Sequence, residues 1–329
     1  MKAISYKKYG SPVELSLVEV PKPVPRAEEV LVRVQAASIN SWDWDLLRGK
    51  QLLVRMLGGL FNPKQKILGA DIAGIIDSVG NHAHNFKPGD EVFGDIASAG
   101  FGGFAEYVCV PEKLLAVKSP QMSFVQAAAM PQAWLLALQG LEYGGKIKPG
   151  QQVLINGAGG GVGTLALQYA LSCGAIVDCV DLPEKFPLLQ SLGANKCIDY
   201  TTEDYTRTGK QYDLILDVIA HRTVNDYRRA VKKDGTFSMI GGSMGGLLFK
   251  LMLFGRLISR LDGKKIGIMG YRVNREDLNF LNQLFENKKI FPVIDKVYPL
   301  ESTPDAFQYF GSGKVQGKIV ITINEKPAA

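Results

Sequence analysis

The chain has 329 residues, 46% apolar and 21% charged, enough for two ordinary globular domains with cores that need no covalent staples. The formal charge is +6. Residues 127–272 carry five of those charges, with 17 lysines and arginines against 12 carboxylates, which suits an anionic ligand, a nucleic acid or a membrane surface alike. Four cysteines without a C-x-x-C pair and only three histidines speak against a disulfide framework or a zinc knuckle and fit reduced thiols in a cytosolic protein.

The opening MKAISYKKYG lacks the apolar stretch of a secretory signal. The uncharged runs 119–141 and 151–177 are broken by proline, glutamine and glycine, so neither reads as a membrane span. The first ~125 residues read as short strands set apart by turns. Residues 29–36 alternate like a half-buried strand. Strands follow at 72–79, after the Lys87-Pro-Gly turn, and at 103–111, and together they imply a closed or partly closed β-barrel.

The pattern changes near residue 124. Residues 124–143 are Ala/Leu-rich and helical in character, apart from Pro131. A second Lys-Pro-Gly turn at 148–150 launches a strand at 152–156, and strands and helices then alternate. Helices are expected at 161–173, 184–192 and 222–232, and strands at 175–180, 213–217 and 236–240. Such βαβ units build a parallel sheet with helices on both faces. The tail carries amphipathic helices at 276–287 and 303–310 and a last strand from Lys318. Residues 273–329 are expected to return to the first domain. The division is therefore 1–126 with 273–329, and 127–272.

The strongest motif is Val153-Leu-Ile-Asn-Gly-Ala-Gly-Gly-Gly-Val-Gly, between a strand and a helix. Set against G-x-G-x-x-G, it puts Ala158, Gly160 and Gly163 at the three marked positions. Glycines there let backbone approach a pyrophosphate, and the helix start offers unpaired amides. Asp181 closes the next strand, 18 residues after Gly163, where a carboxylate accepts from the ribose hydroxyls and repels a 2′-phosphate. This favours NAD(H) over NADP(H). Lys185 reads as a solvated helix cation, with a 2′-phosphate ligand as the alternative. Asp178 reads as a strand-edge residue.

With Ala36-Ala-Ser-Ile-Asn-Ser-Trp-Asp, Gly69-Ala-Asp-Ile-Ala-Gly, Phe86-Lys-Pro-Gly-Asp-Glu-Val-Phe-Gly, Gly103-Phe-Ala-Glu-Tyr-Val, Leu192-Gly-Ala-Asn-Lys-Cys-Ile-Asp-Tyr and Gly317-Lys-Ile-Val-Ile, the chain resembles a medium-chain dehydrogenase/reductase. The branch is that of the zinc-independent, zeta-crystallin-like quinone oxidoreductases. The resemblance implies a GroES-like β-barrel domain, a Rossmann domain and an active site in the cleft between them. It also implies hydride transfer from NAD(P)H to quinones or α,β-unsaturated carbonyls, and commonly a homodimer. Asn40, Ala70 and Gln132 stand where zinc-dependent relatives carry their ligands, so no zinc is expected.

By the same resemblance, Gly159, Gly161 and Val162 meet the pyrophosphate, and Tyr200 lies near the ribose. Val218 reaches the middle of the cofactor, and Ile240, Gly241 and Met269 flank the nicotinamide. Asn40 and Gln132 are the catalytic candidates. Trp44 and Trp134 are expected to wall the substrate pocket beside Asp45, while Trp42 is read as core. Relatives usually carry tyrosine or a small polar residue where Asp45 stands.

The segment 247–261 reads as a basic amphipathic helix. A lid or a dimer contact is favoured for it over a membrane contact. The location expected is the cytoplasm, with peripheral membrane association as the alternative. A nonenzymatic nucleotide- or RNA-binding protein is the rival reading, but no aromatic-interleaved basic patch supports nucleic acid.

Overall fold

The computed structural model describes residues 1–242, 251 and 263–324. The segment 247–261, apart from Leu251, lies outside the described residues. The described residues divide into two units: Met1–Gln132 with Val273–Asn287 and 292–324, and 133–242, 251 and 263–272 with Lys288–Phe291. In chain order the strands are β1 (Lys2–Ser5), β2 (Ser16–Glu19), β3 (Glu29–Ser38), β4 (Asp71–Val79), β5 (Glu91–Asp95), β6 (Tyr107–Pro111) and β7 (Leu115–Val117) in the first unit. The second unit holds β8 (Gln152–Asn156), β9 (Ile176–Asp181), β10 (Lys196–Asp199), β11 (Tyr212–Asp217), β12 (Val231–Met239) and β13 (Lys265–Ile268). The chain then adds β14 (Ile294–Pro299) and β15 (Lys318–Thr322) to the first unit.

In the first unit one sheet runs β14-β15-β3-β4-β5-β7, with β6 also pairing β3. Strand β3 is not the half-buried strand that its alternation suggests. From Val34 to Ser38 it is buried on both faces, where Ala36, Ala37 and Ser38 are small enough for neighbours to close in. Val30, Val32 and Val34 meet Ile72, Ile76, Phe104 and Phe307 in the core. Phe104 and Phe307 pack edge to face, 5.8 Å between centroids.

The second unit is a six-stranded parallel sheet in the order β10-β9-β8-β11-β12-β13. It is the doubly wound sheet expected from the alternating strands and helices. Its order reverses beside β8, and ligands of such sheets bind at that switch point, past the carboxyl ends of the strands. The expected helix 222–232 is shorter, Val224–Ala230, because Val231 already pairs with Tyr212 across β11 and β12. The helical stretch 124–143 is two helices, Phe124–Ala128 and Pro131–Leu141. Pro131 opens the second, where its missing N–H costs nothing. Among the described residues no helix is long and apolar enough to cross a membrane.

Candidate dinucleotide site and buried polar cluster

The loop Gly157–Gly163 leaves the carboxyl end of β8 and enters the helix Gly161–Ser172. Gly157 has φ +81°, in the left-handed region that favours glycine. A Cβ on Gly163 would lie 2.4 Å from both Ala158 Cα and Gly157 O, so only glycine lets the helix pack this close to the loop. The first bond from the helix back to its cap runs from Thr164 N to Gly160 O. The amides of Gly161, Val162 and Gly163 therefore precede the ladder, as helix starts require, and form a cradle for an anion. Ala158 is fully buried, while Gly160, Gly161 and Val162 are half-buried.

Asp181 ends β9 beside this loop. Its Oδ2 accepts from Gly159 N at 2.7 Å, and its Oδ1 accepts from Leu182 N at 2.9 Å. Lys185 Nζ lies 3.3 Å from the same Oδ1, and Lys185 is only 9% exposed. Lys185 is thus not the solvated cation that its position suggests. Its stem lies across Gly159, where a Cβ would come within 2.4 Å of Lys185 Cδ. Tyr200 is 44% exposed, its phenol raised by burial and then by the charges of Asp181 and Asp199. Asp178 is held by Asn195, Lys210 and Tyr212 and takes no part in the loop.

The remaining predicted cofactor residues gather at the carboxyl edge of the same sheet. Val218 N donates to Asn156 O, Ile240 N to Asp217 O, and Met269 N to Met239 O. Gly241 tolerates no side chain, since a Cβ would lie 2.6 Å from Val218 O. A buried pair escaped the sequence reading here: Asn156 Nδ2 donates to Asp217 Oδ1 at 2.7 Å. Burial pushes the Asp217 carboxyl up, against the hydrogen bond from Asn156. Their signal was two polar residues closing two apolar strands.

The catalytic candidates of the first unit belong to a buried polar cluster. Asn40 caps the helix Ser41–Arg48, its amide donating to Asp43 Oδ2 at 2.9 Å. Its side chain points elsewhere: Nδ2 donates to Asp71 Oδ2 at 2.9 Å, and Oδ1 accepts from Lys318 Nζ. Lys318 Nζ is also 3.3 Å from Asp71 Oδ2. Gln132 N donates to Asp71 Oδ1 at 2.9 Å, and Gln132 Nε2 to Asp95 Oδ2 at 3.1 Å. Asp71 and Asp95 face each other across β4 and β5, so Gln132 bridges the two members of one register pair. Sequence reasoning found Asn40 and Gln132 but missed Lys318, Asp71 and Asp95 as their partners.

The pocket residues separate. Trp44 packs on Phe310, 6.0 Å between centroids, with the Arg48 guanidinium over its ring. Asp45 is half-buried, and that burial pushes its carboxyl up, against the nearby Arg48 charge. Trp134 is fully buried and stands edge-on to Tyr169 at 5.3 Å, so it is core and not a wall open to substrate. Trp42, read as the core tryptophan, is only half-buried.

The model for the alcohol dehydrogenase GroES-like domain matches residues 26–121, and that for the zinc-binding dehydrogenase matches residues 192–321. A 2-methylene-furan-3-one reductase of Solanum lycopersicum is 33% identical, covering 98% of this chain and 79% of its own. The chloroplastic quinone-oxidoreductase QR1 of Triphysaria versicolor is 32% identical, covering 98% of each. Among solved structures, the quinone oxidoreductase of Coxiella burnetii superposes with a TM-score of 0.86 at 28% identity, over 98% of this chain and 99% of that one. The chain belongs to the medium-chain dehydrogenase/reductase superfamily, in its quinone oxidoreductase branch.

The zinc in one model's name does not fit these residues. Asn40, Ala70 and Gln132 offer two amides and a methyl, and the Asn40 oxygen already faces the Lys318 cation. Among the described residues no group of three or more His, Cys, Asp or Glu is placed to hold a metal ion.

Proposed function

We propose that the protein is an NAD(P)H-dependent oxidoreductase that reduces quinones or α,β-unsaturated carbonyls without zinc. The observation that carries this reading is the Gly157–Gly163 loop, whose glycines bring three unladdered amides together beside Asp181. A bound reduced nicotinamide would supply the hydride. The chain does the rest.

Gly161, Val162 and Gly163 hold the pyrophosphate by N–H groups and the positive end of the helix. Asp181 keeps acceptor capacity for ribose hydroxyls beyond the bonds it makes to Gly159 and Leu182. This favours NAD(H). The Lys185 charge offsets the carboxylate and keeps the discrimination against a 2′-phosphate modest. Tyr200 lies on the ribose side, and Val218, Ile240, Gly241 and Met269 line the path toward the nicotinamide.

On the substrate side, Asn40 is the hydrogen-bond donor. Lys318 and Asp71 fix which end of the amide is which, with one Nδ2–H spent on Asp71 and the other left for a substrate oxygen. A donor held in place needs no reorganisation as charge develops on that oxygen. Gln132 serves as the support that spans Asp71 and Asp95. Trp44 and Asp45 border the substrate.

The test is oxidation of NADH and NADPH with a panel of quinones, enones and simple alcohols. Turnover is expected with the first two classes. Turnover confined to alcohols, or none with any acceptor, would overturn the reading.

A further inference from the structure

We propose that residues 50–66 form a surface that docks on an anionic lipid bilayer. The helix Leu52–Gly58 buries Val54 and Gly58 on one side. At 100° per residue, Leu52 and Met56 fall opposite these two, and Leu53 and Leu57 fall along one flank. Leu52, Met56, Leu57 and Leu53 are 68%, 68%, 60% and 37% exposed, and Leu60 and Phe61 continue the patch at 48% and 84%. Six large apolar side chains within ten residues, all open to solvent, are far from the scattered single exposures of an ordinary surface.

These side chains are held out by construction. Tyr9 Oη donates to Gly59 O, Lys64 N donates to Gly58 O at 2.6 Å, and Gly10 N donates to Leu47 O at 2.9 Å. Arg55 turns inward, its Nε on Gly49 O and its guanidinium over the Tyr9 ring. The backbone is thus tied down on the side away from the patch.

Charge identifies the occupant. From Leu46 to Ala70 there are five cations, Arg48, Lys50, Arg55, Lys64 and Lys66, and no carboxylate. Lys50, Lys64 and Lys66, which flank the apolar run in sequence, are exposed. A second copy of the chain, meeting this face with the same face, would set these three lysines against three. An anionic bilayer accepts both halves of the pattern: the apolar groups enter the headgroup boundary while the lysines reach phosphates. The proposal uses no residue of 247–261 and does not depend on the reductase reading.

The experiment is sedimentation of the full chain with phosphatidylcholine vesicles, with and without phosphatidylglycerol. The chain is expected to pellet with the anionic vesicles at low ionic strength and to be released by salt. Leu57→Ser/Phe61→Ser and Lys50→Glu/Lys64→Glu/Lys66→Glu are each expected to weaken partitioning about tenfold or more, with unchanged circular dichroism and thermal melting as evidence of folding. No partitioning by the wild-type chain, or equal partitioning by folded variants, overturns the proposal. So does a wild-type self-association in sedimentation velocity that Leu57→Ser/Phe61→Ser abolishes, which would make the face a contact between copies.

Discussion

The ammonium of Lys185 lies 3.3 Å from Oδ1 of Asp181, and both side chains are buried. On the proposed reading the adenosine ribose of a bound dinucleotide would lie beside this pair, and the pair would then set the balance between the two coenzymes. A carboxylate 4 Å from a phosphate costs about 1 kcal/mol in water and about 4 kcal/mol at a protein surface. Asp181→Ser is therefore expected to raise NADPH affinity about tenfold. Lys185→Met leaves the carboxylate uncompensated and is expected to lower NADPH affinity by about the same factor, with NADH less affected. Fluorescence titration of both coenzymes checks this. Unchanged NADPH affinity in both variants would remove the ribose from this corner.

Two glycines of the loop should respond differently to alanine. At Gly163 the new methyl meets backbone of Gly157 and Ala158, which cannot move without opening the loop. At Gly159 it first meets the flexible stem of Lys185. Gly163→Ala is expected to cost about 1–3 kcal/mol of stability and most coenzyme affinity. Gly159→Ala should cost much less of both. Urea unfolding and coenzyme titration of the two variants give the comparison, and equal losses would mean that backbone crowding is not what the loop avoids.

Lys318 holds the Asn40 amide and partners the buried Asp71. Lys318→Met is expected to destabilise the chain by about 3–5 kcal/mol, the usual result of leaving a buried charge unpaired. In protein that remains folded, kcat should fall more than KM rises, because a released amide still admits substrate but no longer meets the developing charge. Lys318→Arg should restore part of kcat. A Lys318→Met variant with normal kcat would show that Asn40 needs no positioning.

Asp43 supplies a pH signature. Burial pushes its carboxyl up to about 7, although the amides of Asn40 and Gly69 donate to it. A carboxyl whose folded pKa lies above its unfolded value binds its proton more tightly when folded. Its contribution to stability is therefore present at low pH and is lost as pH rises from about 4 toward 7. Urea unfolding of the wild-type chain should carry this component, and Asp43→Asn should lack it. The same slope in both would assign it to another group.

Much of the second unit was legible in the sequence because its signals are local. The turn glycines, the apolar runs of β8 and β11 and the acid at the end of β9 all lie within short windows. Lys185 was misread for a physical reason: a helix lysine reads as solvated, and its burial here depends on Gly159 having no side chain. Trp134 was misplaced because residue type does not tell which face of its helix packs on Tyr169. The cluster of the first unit was largely illegible. Asn40, Asp71, Asp95, Gln132 and Lys318 come from five separate segments and meet only through the register of β3, β4, β5 and β15.

The most direct test of the central claim is calorimetric titration of the chain with NADH and NADPH, repeated on Gly163→Ala. Saturable binding of at least one reduced coenzyme, largely lost in a folded Gly163→Ala variant, is the predicted result. No heat from either coenzyme, or binding that Gly163→Ala leaves intact, would contradict the placement of a dinucleotide on the amides of Gly161, Val162 and Gly163.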